Sequence, residues 1–306
     1  MTSIPHSPRK PVLGLALGSG SARGWAHIGV IRALQEAGYT PDVVAGTSIG
    51  ALVGSVYAGG NPETFDGFQR WVETLTWRDV LSFFDVGFSG GLIKGEKLMS
   101  FLADHFVDVQ LADLKRPFAC VATELSTGRE VWLRHGLVVD AVRASIALPG
   151  LFAPALNDGR LLADGALVNP VPVSLCRALG ADVVIAVDLG SDVIGRRING
   201  KAEGNGEAPP AEWLARIRRW LGREQTPGDP SVINMPSMLD VMATSINIMQ
   251  VRIARSRLAG EPADILIAPR LAELGMLDYD KAEYAIEEGH EATKAMLPMI
   301  RRILDQ

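Results

Sequence analysis

Cysteine is nearly absent, with Cys120 and Cys176 alone among 306 residues. Both sit in apolar stretches, FACVAT and VSLCRAL, with no metal-ligand spacing and no further pair. A disulfide framework and a zinc cluster are thereby excluded, and buried reduced thiols are expected. Long hydrophobic runs are missing as well: no uncharged apolar stretch approaches the ~18 residues that a spanning helix needs. The short apolar stretch that follows the basic N-terminal residues breaks into glycines and has no small-residue cleavage site, so no signal peptide is expected. Excess positive charge is lacking too. Thirty Lys and Arg stand against 35 Asp and Glu, a net charge of -5, which gives no bulk attraction to nucleic acid. A cytoplasmic protein is expected, with any contact to a membrane surface being local.

What the chain does have is a 47% hydrophobic fraction, enough to bury a sizeable core. Val12 to Leu17 reads as a short buried strand, followed by a glycine-rich loop and a helix from Trp25 to Ala37 that Gly38 stops. A second strand, Asp42 to Ala45, turns at Gly46 to Ser48 into a small-residue helix, Ile49 to Ala58. Helices are expected at Pro62 to Leu75, Gly95 to Phe106, Val138 to Leu148 and Val171 to Leu179. Strands are expected at Phe118 to Thr123, Glu130 to Arg134 and Val183 to Leu189, and an apolar stretch at Leu161 to Ala163 leads into Asp164-Gly165. Beyond a polar Gly- and Asn-rich loop at 195–210, helical patterns return at Met238 to Leu258 and Lys281 to Leu304, with a strand at Asp264 to Ala268 between them. Such alternation predicts an α/β fold, a three-layer sandwich with a mainly parallel central sheet. We read one domain over 1–306: a core at about 12–190, a flexible loop and amphipathic helix at about 195–225, and a helical completion at about 231–306.

Two strand-to-helix turns carry chemistry. Gly46-Thr47-Ser48-Ile49-Gly50 has the G-x-S-x-G form of a nucleophile elbow, in which a sharp turn lifts the serine hydroxyl clear of the sheet and small neighbours let adjacent elements approach. Ser48 as an ordinary helix N-cap is the alternative. The loop Gly18-Ser19-Gly20-Ser21-Ala22-Arg23-Gly24 can aim backbone N–H groups at one anion position, which suits an oxyanion hole. It fails as a dinucleotide loop, because Arg23 stands where the third glycine of G-x-G-x-x-G is required. The two loops end neighbouring strands and would face one crevice at the carboxyl edge of the sheet.

GSGSARG at 18–24, GTSIG at 46–50, RASIALPGLFAP at 143–154 and ADGALVNPVP at 163–172, in this order, resemble the bacterial patatin-like phospholipases. The likeness is to the RssA-type branch related to the neuropathy target esterase catalytic domain, and it covers Leu13 to Leu189, extending more weakly to Pro269. It implies a Ser-Asp dyad of Ser48 and Asp164, with oxyanion donors among Gly20, Ser21, Ala22 and Arg23. Gly18, Gly24, Gly46, Gly50 and Gly165 would support the motifs. It also implies a lipid or lysophospholipid ester as substrate, and neither a metal nor an organic cofactor. Departures from the pattern are Ser19 and Ser21, where Gly is common, and Ala166 for the usual third Gly of the Asp motif. The loop keeps its geometry if neither serine needs positive φ. Asp164 would serve as base only with a raised pKa in a water-poor site.

Rival readings remain at this point. A Ser-Asp-His triad would need His290, the one histidine after Asp164, and it falls in the helical stretch EEGHEATKAML. His27 reads as a satisfied core or crevice residue. A patatin-fold binding module of little activity is a further alternative. Trp213, Leu214, Ile217, Trp220 and Leu221 fall on one helical face with Arg216, Arg218, Arg219 and Arg223 on the remaining arc, a pattern suited to peripheral membrane contact or to packing on protein, including a second copy. The Met-rich stretch from Met235 to Met249 would fill the core or line an acyl-chain pocket.

Overall fold

The computed structural model describes residues 9–83, 94–191 and 238–305. The expected loop at 195–210, the amphipathic helix around Trp213 and Trp220, and Met235 lie outside the described residues. Strand β1 (Leu13–Leu17) leads through a 3-10 turn, Ser21–Trp25, into α1 (Ala26–Glu36), and β2 (Val43–Thr47) leads through Ser48 into α2 (Ile49–Ala58). Then follow α3 (Pro62–Thr74), α4 (Trp77–Ser82), α5 (Glu96–His105), β3 (Phe118–Glu124), β4 (Glu130–Leu133) and α6 (Val138–Ser145). The hairpin β5 (Ala155–Asn157) and β6 (Arg160–Asp164) precedes α7 (Val173–Ala178) and β7 (Val183–Val187), and α8 (Met238–Gly260), β8 (Ile265–Ile267) and α9 (Ala282–Leu304) complete the order.

The five fully buried residues of β1 and of β2 explain why neither strand alternates polar and apolar residues: both faces of the sheet are covered. β1 lies between β2 and β7, with β3 outside β2 and β8 outside β7, and all four of these pairings are parallel. β4 and β6 each run antiparallel to β3, and β5 antiparallel to β6. The sheet is therefore mixed and mainly parallel, within the expected layered α/β class. On one face Leu15, Leu17, Val44, Ile185 and Val187 pack beneath helices that include α1, α2 and α6. On the other, small residues such as Ala16, Ala45, Ala119 and Ala186 let α7 come close; a methyl group on Gly14 would collide with Cys176 and Ala181. Cys120 and Cys176 are buried and unpaired, and burial pushes both thiols up to about 12.

Local chemistry sets the element ends. Asn61 Oδ1 accepts from Glu63 N–H at the start of α3, where Pro62 is preorganised for the first turn. At the amino edge of the sheet, carboxylates satisfy strand N–H groups: Asp42 accepts from Leu13, Asp182 from Val12 and Asp264 from Val184. Helix α6 stops at Ser145, three residues short of expectation; Pro149 disfavours helical backbone at Leu148. Helix α7 begins at Val173 because Pro172 stands at its N-cap. The β5–β6 hairpin was not expected from the sequence. Asp158 (φ 47) and Gly159 (φ 73) form its two-residue turn, the Asp-Gly signal for a tight hairpin.

Helices α1 and α9 cross closely, and glycine permits it. A Cβ on Gly289 would strike the Ala26 carbonyl, and one on Gly29 the Ile286 carbonyl. The C-terminal helix thereby buries Ala285 and Ile300 in the same core as β1 and α1.

Candidate active site

The register of β3 places Ser48 and Asp164 together. β4 pairs with Cys120 to Thr123 along one edge of β3. β2, which pairs with Phe118 to Val121, and β6, which pairs with Ala122 to Glu124, must therefore share the opposite edge. β2 ends with Thr47 opposite Val121, and β6, running the other way, ends with Asp164 opposite Ala122. The residue after one strand thus faces the last residue of the other. Ser48 Oγ donates to Asp164 Oδ2 at 2.6 Å.

Ser48 adopts φ 57 and ψ -123, a conformation that costs a non-glycine residue ~1–3 kcal/mol and persists only when its surroundings impose it. Small neighbours make room for it. A Cβ on Gly46 would lie 2.5 Å from the Ala51 Cα, and one on Gly50 would collide with the Leu17 carbonyl. The Ser48 N–H donates to Ser145 Oγ at 2.9 Å, and the Ser145 hydroxyl donates to Val121 O at 2.7 Å. Thr47 Oγ1 donates to Asn169 O at 2.9 Å, binding the elbow to the segment after Asp164.

Asp164 is almost wholly buried, at 1% exposure. Its Oδ1 accepts from the Ala166 N–H at 2.8 Å, and its carbonyl accepts from Thr123 Oγ1 at 2.8 Å. Burial raises its pKa to about 6, and the hydrogen bonds from Ser48 and Ala166 limit the rise. Ala166 fits where the family pattern has glycine, since its φ is not positive. Gly165 has no such freedom: a Cβ there would strike Val121 O.

In the glycine-rich loop the four N–H groups named from the sequence divide into two pairs. Ala22 N–H donates to Met276 O at 3.2 Å and Arg23 N–H to Gly20 O at 3.2 Å. The N–H groups of Gly20 and Ser21 have no acceptor among the described residues. Gly18 N–H donates to Val187 O and Ser19 N–H to Pro170 O, anchoring the loop to β7 and to the post-Asp164 segment. The condition set on the two serines fails at one of them, since Ser21 takes φ 53. Its hydroxyl makes a 2.7 Å hydrogen bond with the Tyr279 hydroxyl. Gly24 leaves room for the Ile49 side chain at the head of α2.

Ser48, Asp164, Ser19, Gly20 and Ser21 line one pocket of about 100 Å³ whose other walls are mainly apolar, with Gln250 and Tyr279 among them. Trp25, Leu52, Trp71, Leu98, Leu148 and Phe152 are among the apolar ones. Met276 lines it as well, whereas Met249, from the Met-rich stretch, is exposed and belongs neither to the core nor to the pocket.

The histidines stand apart from the Ser48–Asp164 pair. His290 Nε2 pairs with Glu36 across α1 and α9 at 2.8 Å and does not line the pocket. Buried His27 donates from Nε2 to Gly18 O at 2.7 Å, its Nδ1 has no partner among the described residues, and burial lowers its pKa to about 4. A neutral imidazole that braces the loop is the result. The one group of side chains with metal-binding spacing among the described residues, Glu287, His290 and Glu291, is on the surface of α9.

Comparison with known proteins shows the family. The model of the patatin-like phospholipase family matches residues 15–177, a span that holds the glycine-rich loop, the elbow and Asp164. The chain belongs to the patatin-like phospholipase family. An uncharacterised NTE family protein of Mycobacterium tuberculosis is 36% identical over 337 residues, covering 94% of this chain and 91% of that patatin-like relative. Lysophospholipase nte1 of Aspergillus terreus is 31% identical over 301 residues, covering 94% of this chain but 18% of the fungal protein. The crystal structure of VipD from Legionella pneumophila aligns with a TM-score of 0.49 at 16% identity, over 95% of this chain and 67% of that one. No described helix of this patatin-like chain is long and apolar enough to cross a membrane.

Sequence reasoning named Ser48 and Asp164 but gave no role to Ser145, although the quoted RASIALPG block contains it. Tyr279 went unmentioned. It lies 258 positions from the serine it touches, and no local pattern joins the two.

Proposed function

We propose that the protein is a serine hydrolase of lipid acyl esters, with Ser48 as nucleophile and Asp164 as the sole proton carrier. The observation that carries the reading is the direct 2.6 Å hydrogen bond from Ser48 Oγ to a buried carboxylate beside an apolar pocket. In the first half-reaction Ser48 Oγ attacks the ester carbonyl while its proton passes to Asp164 Oδ2. The N–H groups of Gly20 and Ser21, near the N-terminus of α2, stabilise the charge that develops on the carbonyl oxygen. Asp164 then protonates the departing alcohol, leaving an acyl-Ser48 ester. In the second half, water gives a proton to Asp164 and attacks the acyl group, and the returned proton restores the serine. Burial serves this role, because a carboxyl with a pKa of about 6 accepts and returns a proton near neutral pH more readily than a solvated one.

The apolar walls support a substrate whose acyl chain is desolvated on binding. The fungal relative is a lysophospholipase by name, which points to a single-chain phospholipid as the natural class.

The test is hydrolysis of a p-nitrophenyl acyl ester and of a lysophosphatidylcholine by folded wild type, Ser48→Ala and Asp164→Asn. Both substitutions should lower turnover by at least ~10³-fold. A wild type inert toward both substrates would instead favour a binding module built on the same fold.

A further inference from the structure

The oxyanion loop contains a strained residue that the family pattern does not require. Ser21 stands where glycine is common and takes φ 53, a left-handed conformation that a serine holds at a cost of ~1–2 kcal/mol unless something fixes it. Its hydroxyl is paired with the Tyr279 hydroxyl at 2.7 Å, and both residues line the pocket with Ser48 and Asp164. Tyr279 is itself held: its carbonyl accepts from Trp25 Nε1 at 3.2 Å, and the Trp25 and Tyr279 rings meet edge to face at 6.0 Å. The segment before it also grips the loop, with Met276 O accepting from Ala22 N–H and Leu274 O accepting from Arg23 Nε at 3.0 Å. Asp278 closes the turn by accepting from Gly275 N–H at 3.0 Å. A C-terminal segment thus splints the loop, and the Tyr279–Ser21 pair is its one side-chain hydrogen bond to the strained residue among the described residues.

We propose that Tyr279 is a positioning residue for catalysis: its hydroxyl holds Ser21 in the left-handed conformation and so keeps the Gly20 and Ser21 N–H groups at the site of the developing oxyanion. The inference rests on the hydrolase reading above. A glycine in place of Ser21 would adopt this backbone unaided, so the need for the tyrosine hydroxyl follows from the serine. Tyr279 carries no proton in the reaction; Asp164 does.

The experiment measures kcat and KM for a p-nitrophenyl ester, with folding checked by circular dichroism, in wild type, Tyr279→Phe, Ser21→Ala, Ser21→Gly and the double variant that combines Ser21→Gly with Tyr279→Phe. Tyr279→Phe should lower kcat by about 10- to 100-fold with KM within about 2-fold, because mispositioned donors weaken transition-state more than ground-state binding. Ser21→Ala, which breaks the same bond from the other side, should lose a similar factor. It keeps the proposal testable if the tyrosine variant misfolds. In the Ser21→Gly background, adding Tyr279→Phe should change kcat by less than about 2-fold, since the two act as one unit. The acid limb of the pH profile should stay in place in Tyr279→Phe.

An active wild type whose Tyr279→Phe variant keeps its kcat would overturn the positioning role alone and leave the hydrolase reading standing. So would equal losses from Tyr279→Phe in the wild-type and Ser21→Gly backgrounds, which would mean that the tyrosine acts elsewhere. A wild type that neither hydrolyses esters nor reacts with a fluorophosphonate overturns both.

Discussion

Replacing Asp164 by Asn should abolish activity and at the same time make the folded protein more stable at neutral pH. Burial raises the carboxyl from its ordinary 3.8 to about 6, and each unit is worth about 1.4 kcal/mol. The two-unit rise therefore amounts to about 3 kcal/mol. The sign follows from proton counts. The folded state binds more protons than the unfolded state between about pH 4 and pH 6, so the contribution of Asp164 to stability falls as pH rises through that window and stays low above it. Asn does not titrate, and it keeps the amide oxygen that accepts from Ala166 N–H. The stability of Asp164→Asn relative to wild type should thus climb by about 3 kcal/mol between about pH 4 and pH 7, roughly 5 °C in Tm at the upper end. Taking the difference between the two proteins cancels every other titrating group. Urea unfolding of both across this range is the assay. A difference that does not change with pH, or that turns against the variant as pH rises, would refute the claim that a desolvated carboxylate is held in place at the expense of stability. The same pKa sets the acid limb of turnover: the ionised fraction, and with it the rate, should fall to about one-tenth by about pH 5.

Three further outcomes follow from the packing and the pocket. Gly289→Ala should lower stability by at least ~1 kcal/mol in urea unfolding, because the new methyl strikes the Ala26 carbonyl and overpacking outweighs the gain in helix propensity; a rise in the urea midpoint would contradict the close α1–α9 crossing. His290→Ala should leave kcat/KM within about 3-fold of wild type, since the imidazole pairs with Glu36 away from the pocket. Leu98→Trp, which puts an indole into the apolar wall, should depress hydrolysis of dodecanoate esters far more than of acetate esters. Equal losses on both would argue against this wall as the acyl-chain site.

The parts of the fold legible in sequence were those specified by contiguous residues. Unbroken apolar runs marked β1, β2 and β7 because parallel strands are buried on both faces, and Gly38 and Pro62 marked helix ends. The β5–β6 hairpin escaped because its first strand is three residues long and its Asp158-Gly159 turn was not weighed as one. Ser48 and Asp164 could be named from motifs, but not the reason they meet, which is that β2 and β6 abut along one edge of β3. That is a property of strand register, and no single segment encodes it. The candidate donors of the glycine-rich loop could be narrowed from four to two only once Met276 and Gly20 were seen to occupy the other pair. Ser145 and Tyr279 contact residues far away in the chain, where periodicity and spacing carry no signal.

The central claim is that Ser48 is a nucleophile activated by Asp164, and the most direct test is to locate a covalent adduct. Wild type, Ser48→Ala and Asp164→Asn would be incubated with a fluorophosphonate and analysed by intact mass and peptide mapping. The account predicts one adduct on wild type, located on Ser48 in the GTSIG peptide, none on Ser48→Ala, and strongly slowed labelling of Asp164→Asn. Labelling that persists in Ser48→Ala, or maps to another residue, would contradict it.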